Sequence, residues 1–196
     1  MEDIAVGKSS IVLEGRTINL RLVEVSDAEF ILRLRLDERL NRFVSKVEDD
    51  LEQQRQWLRD YKLRERQGQG YYFIAESKDG EPYGTIRLYD FRGDTFTPGS
   101  WVVKRGVAAH VGVEAVLLMY EFGFSALGFT RARFDVRKDN QKSIRFHPRF
   151  GARAVRTDDL SVYFEITKDE FEQAKRRYKK FTGGYVRVSE LSQAAG

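Results

Sequence analysis

Between positions 134 and 152 the chain reads FDVRKDNQKSIRFHPRFGA, and its apolar residues turn over from strand spacing to helical spacing near Asn140. That change predicts a strand running into a short helix over residues 140–150. Upstream, GVEAVLLMYEFGFSALGF (112–129) is apolar around most of a helical circumference, as expected of a largely buried helix. The strand-like GSWVVKR precedes it and RARFDVR follows it. A strand, helix, strand, helix unit therefore sits mid-chain, and the fold class is α/β, with strands and helices mixed in the α+β manner.

The flanks agree with that class. TINLRLVEV (17–25) alternates apolar and polar residues like a half-buried strand, and SDAE after it has the form of a capping box opening a helix to about Leu36. DDLEQQRQWLRDYKLRERQGQG places Leu51, Trp57, Leu58 and Tyr61 near helical spacing and stops at glycines, which predicts a second helix. YYFIAESKDGEPYGTIRLYDF reads as a hairpin about the tight turn KDGE, and ARAVRTDDLSVYFEI as another. Thr167 and Glu170 open a last helix as a capping box. Residues 1–16 are read as an extension or first strand, 17–181 as a single domain, and 182–196 as a flexible tail.

Composition removes several functions. With no cysteine, a disulfide, a cysteine nucleophile and a thiolate metal site are all impossible, and two histidines make a structural zinc site a poor expectation. No metal is expected. No apolar run approaches the roughly 18 residues of a membrane span, and MEDIAVGKSS is not a signal peptide, so the reading is cytoplasmic with no membrane partner. The formal charge of +4 raises nucleic acid, but the densest basic run, KRRYKK, falls in the last turns of a helix, where cations favour the macrodipole. No nucleic acid partner is expected.

The common nucleotide and nucleophile fingerprints, G-x-x-x-x-G-K-[ST], G-x-G-x-x-G after a strand and G-x-S-x-G, are all missing. What stands in their place is WVVKRGVAAHVGVEA, a strand passing through small residues into a buried helix, with Lys104 and Arg105 adding positive charge. Small residues let backbone N–H groups approach a ligand, and a helix N-terminus favours an anion.

Together these two stretches resemble the GNAT superfamily of acetyltransferases, whose helix after the cofactor loop carries N-x-x-[SA]-I-x-x-[YH]-x-x-x-G-[FA]. Here it reads NQKSIRFHPRFGA, matched at Asn140, Ser143, Ile144, His147, Gly151 and Ala152, with the lead-in DVRKDN. The resemblance spans residues 17–166 and implies a mostly antiparallel sheet of about six or seven strands flanked by helices. The loop departs from the family's [QR]-x-x-G-x-[GA]: VAAHVG puts Val107 at the polar position and His110 at the first glycine.

Acetyl transfer from a thioester to an amine requires a neutral amine, help for the oxyanion and a proton for the departing thiolate, whose pKa near 8.5 makes it a fair leaving group unaided. The resemblance implies acetyl-CoA as co-substrate, with Asp135 in the place of the base and His147, twelve residues on, in the place of the tyrosine acid. It implies that the pantetheine pairs against Trp101, Val102, Val103 and Lys104, and that the amides of His110, Val111, Gly112, Val113 and Glu114 meet the pyrophosphate. Asn140 and Ser143 are implied on the cofactor arm. A structural reading stays open for each: Asp135 can pair with Arg133 or Arg137, and His147 can be a satisfied helix histidine.

The acceptor is set in this family by the first two helices and the loops near residues 42–48 and 91–99. LNRFVSKVEDDLEQQRQWL and RLYDFRGDTF resemble the subgroup acting on nucleotide-linked amino sugars, with Arg42, Asp90 and Arg92 as substrate residues. Acetylation of a protein N-terminus, as by the ribosomal-protein acetyltransferases, and a noncatalytic acyl-CoA-binding or nucleic-acid-binding module remain alternatives. The expected partner is a small-molecule amine, and a homodimer is allowed but not required.

Overall fold

A computed structural model describes residues 11–182 and 187–189. Its strands are β1 (Val12–Glu14), β2 (Ile18–Leu22), β3 (Gly70–Ser77), β4 (Pro82–Arg92), β5 (Thr95–Val103), β6 (Arg131–Arg137), β7 (Arg153–Thr157), β8 (Ser161–Thr167) and β9 (Arg187–Ser189). Among the described residues they form one nine-stranded sheet in the order β7-β8-β6-β5-β4-β3-β2-β1-β9. Every pairing is antiparallel except β5 with β6.

Helices α1 (Ala28–Leu36) and α2 (Leu51–Arg66) cover one face, and α3 (Ala109–Glu121), α4 (Gln141–Phe150) and α5 (Lys168–Arg177) the other, with a short α6 (Lys179–Thr182) after them. Alternation decides which side chain goes where. On β3, Tyr72 and Ile74 join Ile31, Leu58 and Tyr61 under α1 and α2, while Phe73 and Ala75 join the larger core under α3. That larger core is aromatic: Tyr120 packs on Phe124, Phe150 and Phe171. Each such ring, fully buried, contributes about 1.5–3 kcal/mol, so this layer anchors α3, α4 and α5 to the sheet.

Local signals held at most boundaries. Asp50 accepts from the Gln53 amide to open α2, and Thr167 with Glu170 forms the capping box that opens α5. Three expectations require correction. The turn before α1 closes between the Glu24 amide and Asp27 (2.7 Å), not through the SDAE box, because a 3-10 turn at Val25–Asp27 intervenes. Helix α3 begins at Ala109, three residues before Gly112, and its N-cap Ala108 offers no side-chain hydrogen bond. The tail expected to be flexible contributes β9, which pairs antiparallel with β1 at Val12–Ser189, Leu13–Val188 and Glu14–Arg187. Residues 1–10, 183–186 and 190–196 of the expected extension and tail lie outside the described residues.

Candidate active site

β5 and β6 are hydrogen-bonded partners only at Thr95–Arg131 and Phe96–Ala132. Beyond that point they part. The β4–β5 register shifts at two places along this stretch: Asp90 and Phe91 together oppose Phe96, and further on Val102 pairs with Thr85 and Gly99 with Arg87, so Ser100 and Trp101 together oppose Ile86. Ser100 takes a left-handed conformation (φ 50°), and its carbonyl accepts from the Thr85 hydroxyl at 2.8 Å. A bulge bends and twists the strand that carries it. Residues 97–103 of β5 therefore turn a row of unpaired backbone groups toward a cleft whose other wall is β6.

The cleft opens to both faces of the sheet. On the α3–α4 face its floor is aromatic. Trp101 meets Phe146 and His147 of α4 with ring centroids 5.1 and 6.3 Å apart, and His147 also packs on Phe134 of β6 at 4.5 Å. Two polar atoms here are buried without a hydrogen-bond partner, the Trp101 indole N–H and His147 Nδ1. Leaving such groups unsatisfied costs about 1–3 kcal/mol each, and a ligand atom in the cleft would relieve it. His147 is only 9% exposed, and burial pushes its pKa down to about 4. The imidazole is therefore neutral at neutral pH. His147 thus presents the ring nitrogens of a neutral imidazole, one of them protonated, and not an imidazolium.

Asp135 sits on the same strand as Phe134 but on the opposite face, exposed, with the Ser161 hydroxyl donating to it at 3.2 Å. The two groups do not face each other across one surface. They stand on either side of the cleft's mouth, one toward α4 and one toward the face covered elsewhere by α1 and α2.

The loop between β5 and α3 is the segment in which the resemblance implies an anion site. Its amides are placed by the helix start: with α3 opening at Ala109, the unbonded N–H groups are those of Ala108, Ala109 and His110, because the Val111 amide already bonds the Ala108 carbonyl at 3.0 Å. The expected set of amides from His110 to Glu114 shifts accordingly toward the loop, and Val113 and Glu114 lie inside the helix. Glu114 is a further correction. It is fully buried and points inward, accepting from the Thr17 amide at 2.9 Å, so it ties α3 to the start of β2 and offers nothing to a ligand. Gly112 also faces the sheet, since a Cβ there would lie 3.4 Å from the Trp101 ring. His110 and Val111 line a cavity of about 370 Å³ with Lys104, Arg105, Tyr83 and Glu81. Lys104 pairs with Glu81 at 2.5 Å, and its backbone amide is held by Tyr83, so its charge is already partnered. On α4, Asn140 caps the helix by accepting from the Ser143 amide at 3.2 Å, which leaves only its side-chain N–H₂ to meet a ligand.

The expected substrate residues fall apart. Arg42 lies 3.7 Å from Asp139, at the open end of the cleft. Arg92 pairs with Asp90 at 2.9 Å in the hairpin beside Thr95, at the closed end. Six strand steps at about 3.3 Å each put roughly 20 Å between those ends of β6. The structure thus does not bring Arg42 and Arg92 together, and Asp90 and Arg92 pair with each other. The segment bearing Arg42 does span the cleft: Asp37 meets Arg105 on the β5 side at 3.5 Å, and Arg42 meets Asp139 on the β6 side.

The GNAT acetyltransferase domain family matches residues 17–153. The chain belongs to the GNAT acetyltransferases. It is an acyltransferase, and among curated proteins it is 31% identical over 143 residues to the probable N-acetyltransferase YjcK of Bacillus subtilis (strain 168), covering 68% of this chain and 79% of that one. Among solved structures it is similar to apo FdhC, a nucleotide-linked sugar GNAT, at 42% identity and a TM-score of 0.81 over 88% of this chain and 98% of the other. Mycobacterium smegmatis RimJ in complex with CoA-disulfide shares the fold at 18% identity, with a TM-score of 0.69 over 87% of this chain and 91% of that one. Trp101, Asp135, His147 and the loop amides thus belong to a GNAT scaffold. Two further arginines, Arg35 and Arg87, are half-buried with an Nε that has no hydrogen-bond partner, a feature that a single arginine on a helix or strand does not signal in the sequence.

Proposed function

We propose that this protein is an acetyl-CoA-dependent N-acetyltransferase that modifies the primary amine of a nucleotide-linked amino sugar by direct transfer, in a cytoplasmic setting. The observation that carries the acceptor is the 42% identity to a nucleotide-linked sugar GNAT over 88% of this chain. The ribosomal-protein acetyltransferases among the similar structures, at 18% identity, share the fold alone.

Acetyl-CoA, when bound, supplies the acetyl thioester. This chain's residues fit it: the unpaired edge of β5 offers amides and carbonyls to an extended arm, and the loop amides at Ala108 to His110 offer an anion site. The Trp101 N–H and His147 Nδ1 both lie buried and unpaired at the cleft floor. An amine entering from the α1–α2 face meets Asp135 first. That carboxylate takes a proton from the amine, directly or through a water, and neutral His147 gives a hydrogen bond to the sulfur side of the cleft while Trp101 closes its floor. The amide C–N bond forms as the thioester C–S bond breaks; the departing thiolate takes its proton from the His147 N–H or from solvent, and the proton on Asp135 returns to solvent, so that the net products are an amide and a thiol.

Incubation with acetyl-CoA and a panel of nucleotide amino sugars, free amino sugars and peptides with free N-termini, read by thiol release, tests the reading. The nucleotide amino sugars are expected to be the fastest acceptors, and free amino sugars much poorer because the remote nucleotide supplies positioning energy. Faster release with peptides overturns the acceptor, and no release with any amine returns the chain to a binding module.

A further inference from the structure

Three arginines of this protein are half-buried among the described residues: Arg21, Arg35 and Arg87. Arg21 is held by Asp27 and Glu76, each at 2.8 Å. Arg35 on α1 and Arg87 on β4 are different. Both are half-buried, and among the described residues neither has a carboxylate within ion-pair distance. The Nε atom of each is buried with no hydrogen-bond partner.

Their surroundings hold them in place without satisfying them. The Arg87 guanidinium lies 4.0 Å over the Tyr89 ring and about 6 Å from Trp57 and Tyr72, which fixes the plane of its donors while leaving their edges unused. One Arg35 nitrogen donates to the carbonyl and the hydroxyl of Ser45, both at 2.7 Å, in the segment that spans the cleft. Burial lowers the Arg35 pKa below its ordinary value, and the positive charge of Arg87 adds to that lowering. Half-buried positive charges lacking a counter-ion are unfavourable unless a negative group arrives from outside.

Position says which group. Arg87 pairs in register with Gly99, immediately before the Ser100–Trp101 bulge, and points to the face where Asp135 is exposed across the cleft. An acceptor whose amine reaches the cleft mouth would extend its far end over β4 toward α1. We propose that Arg35 and Arg87 form the receptor for the acceptor's diphosphate, with planar guanidinium donors gripping phosphate oxygens and Tyr89 backing Arg87. This inference rests on the nucleotide-sugar reading and places its anion at residues distinct from Arg42 and Arg92.

The test is calorimetry on the full chain saturated with coenzyme A, which fills the other anion site. Inorganic pyrophosphate, uridine diphosphate and thymidine diphosphate are titrated in turn, with uridine and thymidine as phosphate-free controls. At least one diphosphate is expected to bind, the nucleosides far more weakly, and R35Q and R87Q to bind that diphosphate at least tenfold more weakly with coenzyme A affinity retained. Arg87→Lys, which keeps the charge and loses the fork, is expected between the wild type and R87Q and carries the test should R87Q unfold. Wild-type diphosphate affinity in R35Q and R87Q overturns the receptor, as does the failure of every diphosphate to bind the parent chain. The two readings separate cleanly. If no nucleotide amino sugar is acetylated yet the diphosphate loss persists, the receptor stands and the sugar reading falls; if both variants acetylate nucleotide amino sugars with unchanged KM, the reverse holds.

Discussion

His147 is where burial and chemistry meet most sharply. Its ring lies among Phe134, Phe146, Phe164 and Trp101, and the lack of solvent drops its pKa to about 4 from an ordinary 6.5. Because the folded value lies below the unfolded one, the unfolded chain takes up the proton first as pH falls. The stability this site contributes is fully present above about pH 6.5 and is lost on going down to about pH 4, a change of roughly 3 kcal/mol at about 1.4 kcal/mol per unit. His147→Phe removes that titration, so the difference in unfolding free energy between the wild type and H147F is expected to change across pH 4–6.5 and be flat above it. Denaturant unfolding at a series of pH values measures this, and a constant difference throughout would mean that the imidazole is solvated. The same variant is expected to lower kcat by about 10²-fold at nearly unchanged acetyl-CoA affinity, within the range of a lost proton-positioning group. Unaltered turnover would reduce His147 to a packing residue.

At the scale of elements, α3 is positioned by one buried carboxylate. Glu114 reaches from the helix to the amide of Thr17, and Gly15 leaves it room, since a Cβ at Gly15 would overlap the carboxylate. Glu114→Ala is expected to cost about 2–4 kcal/mol in urea unfolding, from the lost charged hydrogen bonds and the cavity left behind, with the Kd of acetyl-CoA changed little. A large loss of acetyl-CoA affinity with unchanged stability would restore Glu114 to the ligand site. This residue also shows what sequence could reveal. The strand RARFDVR was legible residue for residue as β6, because its alternation buries Ala132, Phe134 and Val136 against one core. The start of α3 was not, because Ala108 and Ala109 carry no capping side chain to mark it. Once the start moved, the inward face of Glu114 and the true set of free amides moved with it.

The whole molecule is a sheet opened along one seam. The seam's position was half legible: DVRKDN and NQKSIRFHPRFGA announced the β6–α4 wall, but β5 parts from β6 along a stretch with two register shifts, at Asp90–Phe91 and at Ser100–Trp101, that no local pattern marks. Spacing along the chain also said nothing of facing, so Asp135 and His147 turned out to occupy opposite faces. Strand β9 went unseen for a related reason, because its partner, β1, lies at the other end of the chain. Opposite faces suit a reaction in which donor and amine enter from two sides and meet at the seam with no intervening enzyme-bound acyl group, and the chain has no cysteine to carry one. Initial-velocity kinetics, varying acetyl-CoA at several fixed concentrations of the fastest amine acceptor, tests this most directly. The account predicts double-reciprocal lines that intersect, the mark of a complex holding both substrates at once; parallel lines would show that the acetyl group leaves with the enzyme before the amine arrives, and would contradict it.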